Sequence, residues 1–166
     1  MFNQPYKKQI KLLDEKGLRH KAIELLARRE YSYGELEAKL LPVSQSEDLL
    51  YKVLDWLVEM GLQSDERFTE MFIRSKYLGG YGQVRISLEL KQKHIRSELI
   101  EWHFEDLASE LDWQSEVLNL IEKKTKSLDL SELKDKNKLM GFLQRRGFTL
   151  NQIYTALDTF TQNQHE

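Results

Sequence analysis

The sequence predicts an all-α protein, arranged as an elongated tandem array of three three-helix modules. Apolar residues recur at helical spacing through most of the chain, so each segment carries one apolar face that must be buried. Two prolines and eight glycines in 166 residues leave little material for β-turns. The apolar pattern also repeats at intervals of about fifty residues, which is typical of helical repeats that pack on their neighbours. The predicted division is a lead-in over 1–16 and modules over 17–62, 63–111 and 112–166.

Matched apolar positions carry this repeat. In the central module they are Phe68, Met71, Phe72, Ile86, Leu90, Ile100, Phe104 and Leu107. The five from Ile86 onward fall fifty residues after Leu36, Leu40, Leu50, Leu54 and Leu57. They also fall fifty-three residues before Leu139, Leu143, Ile153, Leu157 and Phe160. We therefore expect Phe104 to be buried at the centre of the central module, on the same helix face as Ile100 and Leu107.

Capping residues and helix-breaking residues mark the ends of the predicted helices. In a capping box, a Ser or Thr side chain accepts a hydrogen bond from the backbone N–H three residues on, and a Glu or Gln there bonds back. Residues 10–13 predict a short lead-in helix that Gly17 ends, and residues 22–30 predict the first helix of the first module. The later boundaries in that module are the boxes Ser32 with Glu35 and Ser44 with Glu47, and the stops Pro42 and Gly61.

The central and third modules follow the same rules. Ser64 is the expected N-cap of the central module, and the glycines at 79, 80 and 82 separate its first two helices. The break before its third helix falls at 94–96. In the third module the predicted helices cover 113–126, 138–146 and the stretch from the capping box Thr149 with Gln152 to near Phe160, with a connector over 127–135.

The sequence contains no residue pattern of an active site. It has no cysteine, which excludes disulfides and thiolate metal sites. Its four histidines lack metal-site spacing, and we expect His94 and His103 to have ordinary surface roles. The glycines at 79–82 are not followed by the Lys-Ser or Lys-Thr of a phosphate-binding loop, so we interpret them as a permissive turn between helices, with a backbone contact to a partner as the alternative. The sequence predicts a protein that is not an enzyme and that has no metal or cofactor.

Charge is distributed unevenly, although the formal net charge is only −2. Between Arg67 and Arg96 there are seven basic residues and two acidic ones, whereas 98–112 contain six acidic residues and no Lys or Arg. Such runs are typical of solvated helix faces, and they are equally consistent with a surface that presents one sign of charge to a partner. The sequence has neither a signal-peptide pattern nor a membrane-spanning apolar run, which predicts a cytoplasmic protein with no membrane contact.

Three segments, in order, carry a resemblance to a known family. They are LLARREYS at 25–32 followed by Glu35-Leu36 and Lys39-Leu40, DERF at 65–68 followed by Arg74, Gly82, Arg85, Glu89 and Lys93, and RRGF at 145–148. Together they resemble the modules of the RecX family over nearly the whole chain. The chain departs from the family pattern at Ser64, where another Asp is frequent, and at His94, where Gly is usual. The resemblance implies a regulator of RecA recombinase that binds along the groove of the RecA–single-stranded DNA filament and limits its growth and activity.

The predicted partner is therefore the RecA filament, with direct contact to filament DNA left open, and the chain is expected to be a monomer. The predicted partner-binding residues are Arg28, Arg29, Arg74, Lys76, Tyr81, Gly82, Arg85, Lys93, Arg145 and Arg146. We expect Arg74, Lys76 and Arg85 to be exposed, because they lie off the apolar stripe. An alternative role for the arginines at helix ends is to complement the helix dipole.

We expect the aromatic residues to pack between helices, and two other functions stay open. Tyr77 is expected to pack beneath the glycine turn, and Trp56, Trp102 and Trp113 are expected mainly in packing between helices. The chain could instead be a general helical nucleic-acid-binding protein, since three-helix modules can place a helix in a groove. A structural helical adaptor is the remaining alternative.

Overall fold

Nine α-helices account for most of the chain in a computed structural model that describes residues 9–165. They are α1 (Glu15–Leu26), α2 (Tyr33–Leu40), α3 (Glu47–Glu59), α4 (Asp65–Leu78), α5 (Gln83–Gln92), α6 (Ser97–Asp106), α7 (Trp113–Thr125), α8 (Leu133–Arg145) and α9 (Leu150–Asn163). A 3₁₀ turn covers Leu41–Val43 after α2, and no β-strand occurs within 9–165. The all-α prediction is confirmed.

The backbone divides into two compact units, which are Met1–Phe68 (unit 1) and Thr69–Glu166 (unit 2). The boundary between them lies inside α4. The division of the chain into three modules, with a lead-in over 1–16, stays a prediction.

Unit 1 is built around a leucine-rich core between α1, α2 and α3. The sequence of α3 explains its helical form, because its buried residues fall at i, i+3, i+4 and i+7 from Leu50. Full burial of one such side chain contributes on the order of 1.5–3 kcal/mol. The core consists of Leu18, Ala22, Leu25, Tyr31, Leu36, Leu40, Leu50, Val53, Leu54 and Leu57.

The start of α1 differs from the prediction, and the short helix expected over 10–13 is wrong. Asp14 is the N-cap of α1, and its Oδ1 accepts a hydrogen bond from the backbone N–H of Gly17 at 2.9 Å. Gly17 therefore lies inside the first turn of α1 and ends no helix. Leu13 is held outside the helix, because its backbone N–H donates to the carbonyl oxygen of Val43 at 2.7 Å.

The capping predictions are confirmed at two of the three boxes. Ser32 Oγ accepts from the Glu35 N–H at 3.0 Å while the Ser32 N–H donates to the Glu35 carboxylate at 3.2 Å, and α9 opens with the same reciprocal pair. Ser64 also caps α4, as predicted, by accepting from the N–H three residues on at 3.2 Å. The box at Ser44 is wrong: Ser46 caps α3, because its Oγ accepts from the Leu49 N–H at 3.2 Å, and the Ser44 hydroxyl instead donates to the Ser46 carbonyl oxygen at 2.7 Å.

In unit 2, α5 packs on α6, and α7 packs on α8 and α9. α8 begins at Leu133, so the end of the predicted connector over 127–135 is helical, and α9 continues past Phe160 to Asn163. The core around α7, α8 and α9 consists of Val117, Ile121, Leu139, Leu143, Phe148, Ile153, Ala156 and Leu157.

The buried face of α4 differs from the predicted stripe. Met71 is 38% exposed and Phe72 is half-buried, whereas Ile73 is fully buried. Thr69 is also fully buried and lies one helical turn before Ile73, so the two share a face. Because Thr69 is polar, the spacing of apolar residues does not indicate that this face is buried.

The buried face of α6 contains a histidine. His103 is 3% exposed, so its expected surface role is wrong. It lies three residues after Ile100 and four before Leu107, which places all three on one side of the helix. Phe104 falls beside this face and is only half-buried, with its ring centroid 5.9 Å from that of Trp113. The predicted burial of Phe104 at the centre is therefore wrong.

The end of α5 depends on a non-glycine residue in the left-handed region. His94 has a φ of 63°, at the position where the RecX pattern usually has Gly. The His94 N–H donates to the carbonyl oxygen of Lys91 at 3.0 Å, and the Ile95 N–H donates to that of Leu90 at 3.1 Å. These two bonds and the burial of Leu90 and Ile95 are the features of a Schellman helix end. The helix end is thus fully formed despite the histidine.

The aromatic side chains have two different environments. Trp56 is half-buried with the Arg19 guanidinium 4.2 Å from its ring, and Trp113 is half-buried with the Tyr77 ring edge-on at 5.1 Å. Both tryptophans pack as predicted. Trp102 is 55% exposed, so the packing role expected for it is wrong.

Candidate partner-binding surface

Tyr81 lies at the centre of a group of cations in unit 2. It belongs to the turn between α4 and α5, and its side chain is half-buried. Lys76 Nζ is 4.8 Å from the centroid of the Tyr81 ring, Arg85 Cζ is 4.6 Å away, and Arg146 Cζ is 4.5 Å away. Cation–π attraction extends to about 6 Å. Lys76, Tyr81, Arg85 and Arg146 therefore form one cluster, the Tyr81 cluster.

Hydrogen bonds to the backbone hold both guanidinium groups of the cluster. Arg146 Nη1 donates to the carbonyl oxygen of Gly79 at 3.0 Å, and Arg85 Nη1 donates to the carbonyl oxygen of Arg145 at 3.2 Å. A guanidinium carries five N–H donors, so one such bond leaves donors for an anion. Side chains that are already restricted lose less entropy when a partner binds. The two arginine side chains are therefore restrained in position.

One carboxylate counters the positive charge of the Tyr81 cluster. Glu89 Oε2 lies 3.1 Å from Lys76 Nζ, and Glu89 Oε1 lies 3.5 Å from Arg85 Nε. Three cations against this one carboxylate leave a net charge of +2. Glu89 is mostly buried, so its ion pairs are screened less than those of a fully exposed pair.

Further cations and rings adjoin the cluster. Lys124 Nζ lies 4.3 Å from the ring centroid of Phe142, and Arg146 Cζ lies 5.2 Å from the same ring. Lys93 Nζ lies 5.7 Å from the ring of Phe72. Sequence reasoning missed Lys124 and Phe142. The spacing of Phe142 and Arg146, one helical turn apart, could have indicated their contact, but no local pattern points to Lys124.

Arg74, a predicted partner-binding residue, pairs within unit 2. Its Nη1 is 2.7 Å from Glu110 Oε2 and its Nη2 is 3.2 Å from Glu70 Oε1. The hydrogen bonds to Glu110 and Glu70 raise the pKa of Arg74, and the bond to Arg74 lowers the pKa of Glu110. The side chains of Arg74, Lys76 and Arg85 are 40%, 28% and 39% exposed. The three side chains were expected to be exposed and are only partly exposed, because each forms ion pairs with acidic neighbours.

The predicted residues of unit 1 lie at the end of α1. Arg28 is exposed. Arg29 stacks on the ring of Tyr31, with Cζ 3.6 Å from the centroid, and its Nη2 lies 2.9 Å from Glu35 Oε2. The hydrogen bond to Glu35 raises the pKa of Arg29. Partner contact by Arg28 and Arg29, like that by Lys93 and the exposed side chain of Arg145, stays a prediction.

Gly82 is buried against another part of unit 2. Its N–H donates to the carbonyl oxygen of Arg146 at 2.7 Å, and the N–H of Val84 donates to that of Gly147 at 3.1 Å. The backbone that approaches Gly82 therefore belongs to the turn between α8 and α9. The role of Gly147 in this contact was missed, because the sequence presents it only as the end of a helix.

Residues 9–165 contain neither a metal-binding cluster nor a membrane-spanning helix. No group of three or more His, Asp or Glu side chains within 9–165 could hold a metal ion. In the same span, no helix is both long enough and apolar enough to cross a membrane.

Known proteins resemble this chain in sequence. Residues 64–102 match the domain described as RecX, second three-helix domain, and residues 112–157 match RecX, third three-helix domain. The regulatory protein RecX of Halorhodospira halophila is 35% identical over 140 residues, which are 84% of this chain and 86% of that protein. The regulatory protein RecX of Neisseria meningitidis serogroup C is 36% identical over 143 residues, which are 86% of this chain and 90% of its own.

Solved structures resemble it in fold. A crystal structure of RecX from Lactobacillus salivarius matches with a TM-score of 0.76 at 21% identity, covering 90% of this chain and 97% of that one. A second crystal structure, of a regulatory protein RecX, matches with a TM-score of 0.73 at 18% identity, covering 86% of this chain and 74% of the other.

Proposed function

The chain belongs to the RecX family, and on that premise we propose that it binds RecA filaments on single-stranded DNA and limits their ATPase and strand-exchange activity. The proteins it resembles are named regulatory proteins. The proposed role is accordingly regulatory, in the control of DNA repair and recombination, and the chain acts as a monomer in the cytoplasm.

The Tyr81 cluster is the observation that carries this proposal. All three cations lie over the ring of Tyr81, and both guanidinium groups also donate to backbone carbonyl oxygens. One carboxylate, Glu89, pairs with Lys76 and Arg85. A filament on DNA presents phosphates, and charges of opposite sign steer association and fix its orientation. The cluster is therefore the proposed contact surface, with Lys93, Lys124 and Arg145 beside it.

A second candidate is direct binding of single-stranded DNA without RecA. The alternation of cations with the rings of Tyr81, Phe142 and Phe72 supports it, because such surfaces bind the DNA backbone through Lys and Arg and the bases through aromatic side chains. Direct binding would weaken steeply with salt, by roughly one log unit of affinity per log unit of salt for each phosphate neutralised. If binding requires RecA, the chain should not show this salt-dependent affinity for bare single-stranded DNA.

The test compares two variants that lose the same charge. Lys76→Gln, Arg85→Gln and Arg146→Gln are combined in one chain. Lys21→Gln, Lys39→Gln and Lys52→Gln are combined in the control, where all three side chains are exposed in unit 1. The measurement is inhibition of RecA-filament ATPase against protein concentration, with circular dichroism to confirm folding.

We expect the cluster variant to need at least about tenfold more protein for the same inhibition, a loss of ~1.4 kcal/mol, and the control to match the wild type. Equal inhibition by wild type and a folded cluster variant would place the contact elsewhere. Binding of wild type to bare single-stranded DNA with a steep salt slope would favour the second candidate.

A further inference from the structure

The Tyr81 cluster is assembled from two segments that lie far apart in the sequence. Tyr81 and Arg85 come from the α4–α5 turn and α5, whereas Arg146 follows α8. The two segments meet at Gly82 and Gly147. Their meeting point therefore decides where Arg146 lies relative to the ring of Tyr81.

The backbones at this meeting point leave no room for a side chain. A Cβ atom on Gly82 would lie 2.5 Å from both the carbonyl carbon and the carbonyl oxygen of Gly147. A Cβ atom on Gly147 would lie 2.5 Å from Arg85 Cβ and 2.6 Å from the Arg85 backbone nitrogen. Real Cβ atoms essentially never approach other atoms closer than 3.0 Å. This contact between Gly82 and Gly147 is the glycine joint.

Backbone conformation does not explain the glycine at 82. Its φ is −94°, which any residue can adopt, and it occupies the N-cap of α5. Ser, Thr, Asp or Asn would be the favoured residues there, since their side chains accept from the first free N–H groups of the helix. Gly82 makes no such bond, and the Val84 N–H donates to the carbonyl oxygen of Gly147. The α8–α9 turn thus caps α5 in place of a side chain.

The same joint places Arg146 beside Tyr81. The Arg146 carbonyl oxygen accepts from the Gly82 N–H at 2.7 Å, and its guanidinium donates to the Gly79 carbonyl oxygen at 3.0 Å. Arg146 is therefore fixed on both sides, by its backbone and by its side chain. A backbone displacement at Gly82 would move it away from the ring of Tyr81.

We infer that Gly82 and Gly147 are positioning residues of the partner-binding surface, and that they act by placing Arg146 on the ring of Tyr81. This inference rests on the proposed function for its partner, the RecA filament. It assigns the glycines no contact with that partner.

The first test measures the position of Arg146 without any partner. In wild type, the ring of Tyr81 should displace the NMR shift of the Arg146 Nε proton. Gly82→Ser would supply a good helix cap but would add the colliding Cβ, and Gly147→Asn tolerates a positive φ but collides with Arg85. Both variants should return the shift toward its free value. Gly61→Asn is the matched control, because Gly61 has a φ of +69° with nothing within 4 Å of its Cβ position.

The second test asks whether the glycines act through Arg146. Gly82→Ser should weaken filament binding about tenfold in the wild-type background but less than about twofold in an Arg146→Gln background, because residues that act as a unit are not additive. Gly147→Asn provides the same cycle if Gly82→Ser does not fold.

The outcomes separate the two proposals. An unchanged Arg146 shift, or equal losses in both backgrounds, overturns the inference, and so does unfolding of both glycine variants, since the glycines would then maintain the fold alone. A wild-type chain that binds no filament contradicts the proposed function, while the Arg146 shift still decides whether the glycines position it.

Discussion

Two contacts between turns, one in each unit, are built in opposite ways. In unit 1, side chains join the turn between α1 and α2 to the start of α4: Gln63 Nε2 donates to the Tyr31 carbonyl oxygen at 3.2 Å, and Asp65 Oδ1 accepts from the Tyr33 N–H at 2.9 Å. In unit 2, the glycine joint brings backbone directly against backbone. The first contact depends on polar side chains that are present, and the second depends on side chains that are absent.

The two kinds of contact differ in how many charged side chains they engage. In unit 1, Arg67 donates to the Glu30 carboxylate and to the Gly61 carbonyl oxygen, and Arg29 binds Glu35. These arginines are engaged in holding unit 1 together. In unit 2 the backbone supplies the contact, so the side chains beside it can present net positive charge. A contact between backbones has no room for an added Cβ atom. A contact made by several side chains can lose one hydrogen bond at a time.

The largest effect is expected from Gly82→Ala. Its added methyl group would overlap the backbone of Gly147, and overpacking of this kind costs about 1–3 kcal/mol or more. The measurement is the free energy of unfolding in urea. Gly141→Ala is the control, because Gly141 lies in α8 with only the flexible end of Arg145 close by, and there Ala should stabilise by about 0.5–1 kcal/mol. If Gly82→Ala and Gly141→Ala changed the free energy of unfolding equally, the close approach at Gly82 would not explain its glycine.

Asp65→Ala should have the next largest effect. It removes the acceptor for the Tyr33 N–H and for the buried amide of Gln63, and unsatisfied buried donors cost about 1–3 kcal/mol. Asp65→Asn keeps an acceptor oxygen and should lose less. Urea unfolding of the two variants measures the difference, and an equal loss would show that charge, not the hydrogen bonds, is what matters.

Alkaline pH should weaken unit 1 through Tyr33. Burial and the hydrogen bond to Asp55 raise the pKa of Tyr33 from 10.0 to about 12. Because the folded state holds this proton more tightly than the unfolded state, the stabilisation is complete below pH 10 and is lost as the pH rises toward 12. Tyr33→Phe should flatten this part of the curve of unfolding free energy against pH. A curve with the same slope in both proteins would assign the effect to other groups.

Arg67→Ala should have the smallest effect. The Arg67 side chain is 48% exposed, and its pair with Glu30 has an Nε–Oε1 distance of 3.1 Å. Exposed pairs are worth about 0.2–1 kcal/mol and are screened by salt. A double-mutant cycle with Glu30→Ala, measured at low and high salt, should give a coupling energy in this range that shrinks with salt. A salt-independent coupling would indicate a pair that is shielded from solvent.

Local features of this fold could be predicted from the sequence, and contacts between distant segments could not. The capping boxes at Ser32 and Thr149 depend on residues three apart, so the pattern is visible in the chain itself. The stripe on α4 was misplaced because a buried Thr looks polar, and His103 was misplaced because a histidine looks like a surface residue. The periodicity argument predicts burial from the apolar character of a residue, whereas in the folded protein burial depends on which face of the helix the residue occupies.

The candidate surface shows the same limit. Lys76, Tyr81 and Arg85 lie within one short segment, and their basic character is apparent in the sequence. Their union with Arg146 requires the α8–α9 turn to reach the α4–α5 turn, which no local pattern specifies. The sequence presents Gly147 as a helix stop, and that role is real, since its φ is +99°. Its second role, as a surface for Gly82, exists only in the folded chain.

The glycine joint also has a consequence for the order of folding. The bond between Arg146 and Gly79 spans 67 residues, whereas that between Gln63 and Tyr31 spans 32. Doubling the length of a closed loop adds only about 0.6 kcal/mol of entropy, so the longer span costs little stability. It does delay completion, because synthesis proceeds from the N-terminus and Arg146 emerges long after Tyr81. A nascent chain that has reached α7 has two cations around Tyr81 and no carbonyl to cap α5. The Tyr81 cluster is therefore incomplete until the last helices are made.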